Sequence, residues 1–164
     1  MRLFLMRHAN TELIAGKEDF ERELTLKGRE EAAEGAKFLA DYQIDKIIVS
    51  YVKRTIETAD IILDRVAIKE KEVVTELYKS DEYKVINLIE NQSASLKNIL
   101  VIGHNPTIFK VATLLIDQGG HLYDTLMSTS MPTGRIIVID FNINSWDQIS
   151  YKKGKVIQIF TPAQ

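Results

Sequence analysis

The apolar residues of the chain fall into short unbroken runs, separated by longer stretches in which they recur at helical spacing. Leu3 to Met6, Lys46 to Val49, Ile99 to Ile102 and Ile136 to Phe141 are runs of the first kind and predict strands. Val73 and Val74 mark a shorter strand. Behind Thr25, a good capping residue, Ala32, Ala36, Leu39 and Gln43 approximate one helical face. They predict a helix to about Tyr42, and its small residues let it lie close to a sheet. Ile56, Ala59, Ile62 and Leu63 predict a second helix, with Ser50 as its cap. Val85, Leu88 and Ile89 predict a third, starting near Ser80-Asp81.

Asn105-Pro106 reads as a helix start, Asn as N-cap and Pro in the first helical position, with Phe109, Ala112 and Leu115 or Ile116 on the buried side. Asn10 to Glu23 reads as a loop, and so does Gly119 to Gly134, which is rich in Gly, Ser and Thr. Asp147 to Tyr151 is expected to pair with Val156 to Phe160 or with the main sheet. Alternating strands and helices, with strands apolar throughout, predict an α/β three-layer sandwich. Its mostly parallel sheet is flanked by helices on both faces. A length of 164 residues without a convincing linker predicts one domain, 1–164.

Composition removes several classes of function. Lys plus Arg is 21 and Asp plus Glu is 23, a formal net charge of −2, so no whole-chain basic field points to nucleic acid or an acidic membrane. No segment approaches the length of a membrane span, and the N-terminal apolar run is too short for a signal. Cysteine is absent, which excludes disulfides, zinc-thiolate sites and a cysteine nucleophile, and fits a cytoplasmic protein. The three histidines form no local ligand motif, so no metal and no cofactor are expected. Neither a phosphate-binding G-x-x-x-x-G-K-[ST] loop nor a G-x-S-x-G elbow occurs.

Ligands of open α/β sheets bind beyond the carboxyl ends of the strands. After the first strand come Arg7 and His8; after the second, Ser50 with Arg54 one turn on; after the fourth, His104. Singly each has an ordinary explanation as a surface charge or structural histidine. Together they suit phosphoryl transfer, in which catalysis is mainly positioning and neutralising the equatorial oxygens. Arg7 and Arg54 offer permanently charged forks for those oxygens. A neutral His8 could attack phosphorus, and His104 could donate to an oxygen as charge builds there.

These residues resemble the histidine phosphatase superfamily (phosphoglycerate mutase-like), and within it the short SixA-like phosphohistidine phosphatases. Arg7-His8-Ala9 is similar to the family's opening Arg-His-Gly, and Leu24-Thr25-Leu26-Lys27-Gly28 to its Leu-Thr-x-x-Gly. The segment Ser50 to Ala59 resembles its Ser-Pro-x-x-Arg-Ala-x-x-Thr-Ala, and Gly103-His104-Asn105-Pro106 matches its Gly-His-Asn-Pro. The resemblance implies His8 as the phosphorylated nucleophile, with Arg7, Arg54 and His104 completing the phosphate pocket, and no metal requirement. Asn10 and Ser50 are further candidates for phosphate contact. Ala9 stands where the family has Gly, and Asn10 where SixA-like chains often have Asp. By position Glu76 is the candidate general acid, with Asp81 second.

Only positions 55–103 separate Arg54 from His104. Resembling mutases and sugar phosphatases insert more there, building a lid. The short insert implies an open pocket that admits a side chain presented by another protein. A phosphohistidine-containing protein, in a phosphorelay or phosphotransferase carrier, is therefore the expected substrate. A small phosphomonoester is the alternative, and a noncatalytic phosphate-binding module is a further one.

Overall fold

The structure, a computed structural model, describes residues 1–163. Its strands are β1 (Arg2–Arg7), β2 (Lys46–Ser50), β3 (Glu70–Val74), β4 (Asn98–Gly103), β5 (Ile136–Asp140) and β6 (Lys155–Phe160). Its helices are α1 (Leu26–Leu39), α2 (Lys53–Leu63), α3 (Glu82–Glu90), α4 (Thr107–Leu115) and α5 (His121–Thr129). All six strands form one sheet in the order β3-β2-β4-β1-β5-β6. The first four strands pair in parallel, and β5 joins β1 antiparallel, as β6 joins β5. This is the predicted α/β architecture.

Strand side chains alternate between the two faces, so an unbroken apolar strand feeds two cores. Leu3 and Leu5 join Ile99, Val101 and Ile137 in a cluster closed by Val85 and Ile89 of α3, Val111 and Leu115 of α4, and Leu126 of α5. Phe4 and Met6 join Val49, Leu100 and Ile102 in a second cluster, closed by Ala36 and Leu39 of α1 and Ala59 and Ile62 of α2. The two cores clamp β1 and β4 in the middle of the sheet, where every residue from Leu3 to Met6 is fully buried.

Four local expectations are corrected. Ser50 does not cap α2; it is the last residue of β2, and Val52 stands at the N-cap without a side-chain bond. Asn105 does not cap α4, because the N-cap is Pro106 after a cis peptide bond, and Asn105 Nδ2 donates instead to the Met131 carbonyl. The segment Gly119 to Gly134 is not all loop. Leu122 and Leu126 lie one helical turn apart, and burial of Leu126 against the core outweighs the polar composition around it. Asp147 to Tyr151 forms no strand; a 3₁₀ turn at Trp146–Gln148 plugs the core with Trp146, and β6 pairs with β5.

Helix α1 starts as predicted: Thr25 accepts a hydrogen bond from Gly28 N at 3.0 Å. This first turn rests on the chain just past β1. A Cβ at Gly28 would stand 2.1 Å from the Asn10 carbonyl oxygen, so only glycine allows the contact. Gly28→Ala is therefore expected to destabilise the protein by about 1–3 kcal/mol, read as a lower midpoint in urea denaturation.

Candidate active site

Strands β2, β4 and β1 are neighbours, so their carboxyl ends bring the predicted residues to one place. His8 N donates to the Gly103 carbonyl at 3.0 Å, extending the β1–β4 pairing one residue beyond the strands. Gly134 N donates to the His8 carbonyl from the other side at 3.2 Å. The His8 and His104 rings lie 5.3 Å apart between centroids. Arg7, His8, Asn10, Arg54 and His104 all line one cavity of about 850 Å³.

The backbone fixes the state of His8. Its Nδ1 lies 2.8 Å from the Ala9 carbonyl oxygen. A carbonyl can only accept, so Nδ1 carries the proton and Nε2 keeps its lone pair. Burial, only partly opposed by that hydrogen bond, pushes the His8 pKa down to about 3; His104, Arg54 and Arg7 add to the fall. Burial and the Arg54 charge likewise lower His104 to about 4. Both imidazoles are thus neutral near neutral pH.

His104 is tied by both nitrogens. Arg54 Nη2 approaches Nδ1 at 3.4 Å and can only donate, so Nε2 carries the proton, 2.9 Å from Ser50 Oγ. Ser50 is fully buried and is not among the residues lining the cavity. It orients His104 and does not reach a phosphate, which corrects that expectation. Asn10 does line the cavity, with Oδ1 accepting from Thr25 Oγ1 at 2.8 Å.

The arginines are held by their outer nitrogens. Arg7 Nη1 donates to the Met131 carbonyl at 3.0 Å. Arg54 Nη1 donates to the Asp19 carbonyl at 2.6 Å and Nη2 to Asp19 Oδ2 at 3.1 Å. Their Nε–H groups have no such partner. Among the described residues, the buried side-chain polar atoms left without a hydrogen bond are Arg7 Nε, Arg54 Nε and Asn105 Oδ1, all on cavity-lining residues.

Glu76 is not brought into the site. It is exposed, outside the cavity, and bonded to its neighbour Thr75, because the chain leaves β3 with Leu77 turned into the core. Asp81 lines the cavity, but its carboxylate accepts Lys84 N at 2.9 Å as the N-cap of α3.

The acid that does reach the site is Asp19, from the polar segment between β1 and α1. Its carboxylate accepts from Arg54 and from Tyr78 Oη at 2.8 Å through Oδ2, and from Arg22 Nη1 at 3.1 Å through Oδ1. Burial would raise its pKa, but these donors and the Arg54 charge outweigh that and lower it to about 2. An Asp and an Arg in a loop look like solvated charge, and only the spacing of Asp19 to Arg22 hints at pairing. The cavity wall carries Arg7, Arg22, Arg54, Lys79, Lys84 and Lys110 against Asp19, Asp81 and Glu82. A local positive field thus exists on a chain of net charge −2.

A buried carboxylate braces the region from beneath. Glu31 of α1 accepts the Asn10 backbone N–H through Oε2 at 2.8 Å and the Thr133 hydroxyl through Oε1 at 3.2 Å. It thereby fastens the turn before β5 to the chain that leaves His8. Among the described residues no group of three or more His, Cys, Asp or Glu side chains comes together to hold a metal ion. No helix among them is long and apolar enough to cross a membrane.

Residues 3–80 match the histidine phosphatase superfamily (branch 1). A solved structure from Agrobacterium tumefaciens, described as a candidate phosphohistidine phosphatase SixA, is similar at 26% identity and a TM-score of 0.80, covering 98% of each chain. One from Nakamurella multipartitia, described in the same way, is similar at 21% identity and a TM-score of 0.84, covering 99% of this chain and 96% of that one. The protein histidine phosphatase SixA complexed with tungstate is similar at 22% identity and a TM-score of 0.81, covering 99% and 97%. No curated protein matches the chain in sequence. The matched segment carries Arg7, His8 and Arg54, and His104 lies beyond it. Over its whole length the fold is similar to that of these SixA structures.

The two depressed histidines carry a stability signature. A group whose pKa is lower in the folded than in the unfolded chain binds more protons when unfolded, so stability falls as pH drops. His8 at about 3 and His104 at about 4 place that fall below the ordinary imidazole value of 6.5. Urea midpoints measured from about pH 7 to about pH 4 are expected to decline steadily, and less steeply in His8→Ala.

Proposed function

We propose that the protein is a phosphatase that forms a phosphohistidine on His8 and acts preferentially on phosphohistidine in another protein. The observation that carries this reading is the unprotonated Nε2 of His8 in a cavity that Arg7 and Arg54 also line. Permanently charged guanidiniums in one cavity select an anion, and phosphoryl oxygens suit their forks.

In the first step the His8 Nε2 lone pair attacks phosphorus while the bond to the leaving group breaks. Arg7 and Arg54 neutralise the equatorial oxygens, and the polarised imidazole of His104 stands beside them. The Nδ1–H to Ala9 carbonyl bond stabilises the positive charge that His8 acquires. In the second step water attacks the phosphohistidine, the pair returns to Nε2, and the water proton leaves with the phosphate.

The SixA likeness supports a protein phosphohistidine as the substrate, as does the short connection between Arg54 and His104. A small phosphomonoester is the second reading, favoured by a cavity volume within the usual range for small ligands. No metal or cofactor enters the proposed chemistry. The test is phosphate release from a phosphohistidine carrier protein and from an aryl phosphate, by wild type and His8→Ala. Release from both that disappears in the variant, with the carrier preferred, is the expected result. Activity surviving in His8→Ala would overturn the mechanism, and activity confined to the ester would overturn the substrate.

A further inference from the structure

Asn10, two residues past His8, is tied to the protein through its backbone and through one end of its side chain. Its N–H donates to Glu31 Oε2 at 2.8 Å, its carbonyl accepts Thr25 N at 3.1 Å, and its Oδ1 accepts Thr25 Oγ1 at 2.8 Å. Thr25 Oγ1 already accepts from Gly28 N, and its one proton lies toward Oδ1, which fixes the turn of the Asn10 amide.

The remaining polar group of Asn10 is Nδ2. Among the described residues it has no hydrogen-bond partner, and it is not one of the buried atoms left without one, so it is accessible. Asn10 is only half-buried and lines the cavity together with Arg7, His8, Arg54 and His104. With its oxygen turned to the start of α1, the amide N–H pair is what this side chain offers to the contents of the cavity.

An amide N–H pair can only donate, so its ligand atom is an acceptor. The guanidiniums of Arg7, Arg22 and Arg54 in the same wall make that acceptor part of an anion. A neutral amide adds direction without adding charge. It is also in place beforehand. Gly28 packs so closely that a Cβ there would stand 2.1 Å from the Asn10 carbonyl oxygen, and little reorganisation accompanies binding.

Resting on the phosphatase reading, we propose that Asn10 is a ligand-binding residue of this site, whose Nδ2–H donates to an oxygen of the phosphoryl group that His8 attacks. Its side-chain oxygen ties the residue to α1, and its side-chain nitrogen holds the oxyanion. An aspartate in this place would keep the tie to Thr25 but turn a second acceptor, with negative charge, toward the ligand. Amide or acid at position 10 therefore decides whether this edge of the cavity attracts or repels a phosphoryl oxygen.

Binding of inorganic phosphate, followed by calorimetry near neutral pH, tests this without turnover. Asn10→Ala is expected to weaken phosphate about tenfold, the loss of one hydrogen bond to a charged group. Asn10→Asp, which keeps the acceptor for Thr25, is expected to weaken it further. A role confined to tying α1 would lower the urea midpoint of Asn10→Ala and leave its phosphate affinity at the wild-type value. That outcome overturns the proposal, whatever Asn10→Asp does, because an added charge acts at a distance.

The side-chain amide protons of Asn10 in the wild type decide independently, should Asn10→Ala not fold. One of the two NMR resonances is expected to move downfield as inorganic phosphate is added, along the saturation curve that calorimetry gives. Failure of either to move downfield at saturation overturns the proposal. A wild type that binds no phosphate overturns it together with the phosphatase reading. Phosphate held through Asn10 by a protein that hydrolyses neither the carrier nor the aryl ester leaves Asn10 as an oxyanion ligand and overturns the catalytic reading alone.

Discussion

Two guanidiniums and two imidazoles share the end of three adjacent strands, largely out of water, and the rest of the site follows from that crowding. Charges of one sign cannot be buried together without neutralisation or pairing. The imidazoles respond by losing their protons, with burial as the leading cause at both His8 and His104. Arg54 responds by taking Asp19 as a counter-ion, and Arg7 by leaning on the Met131 carbonyl in the field of Glu31. What remains unsatisfied is one donor edge on each arginine. The same desolvation that leaves His8 neutral leaves Arg7 and Arg54 each with a buried nitrogen lacking a partner.

The backbone holds this arrangement more than the side chains do. Ala9 presents the carbonyl that sets the His8 tautomer, and Gly103 and Gly134 hold His8 from either side. Glu31 and Thr25 secure the next residue, Asn10, against the start of α1. Because the bonds to Gly103, Gly134, Glu31 and Thr25 cross between elements, the chain at His8 sits on rigid structure rather than on the loop that follows it.

The sequence exposed the sheet and the four central residues for one reason. Apolar strands are legible from their runs, and whatever follows a parallel strand lies at the functional edge. Arg7, His8, Arg54 and His104 could be named from that rule and from their motifs. Asp19 and Tyr78 could not, since their value lies in contacts across the cavity that no local pattern encodes. The residue types of Ser50 and Asn105 favour caps; the structure uses them instead to hold His104 and Met131. Helix α5 was hidden by its Ser and Thr content, and Glu76 was placed by spacing alone, which says nothing of which way a chain turns on leaving a strand.

Strand β1 stands early in the chain yet in the interior of the sheet. Leu3 pairs with Ile99 on one side and Ile139 on the other, and the Met131–Gly134 turn closes over Arg7 and His8. The backbone bonds that hold His8 from Gly103 and Gly134 are therefore long-range, and such pairings form slowly because the intervening chain must be ordered first. His8 takes its place only when β4 and the turn before β5 have both joined β1.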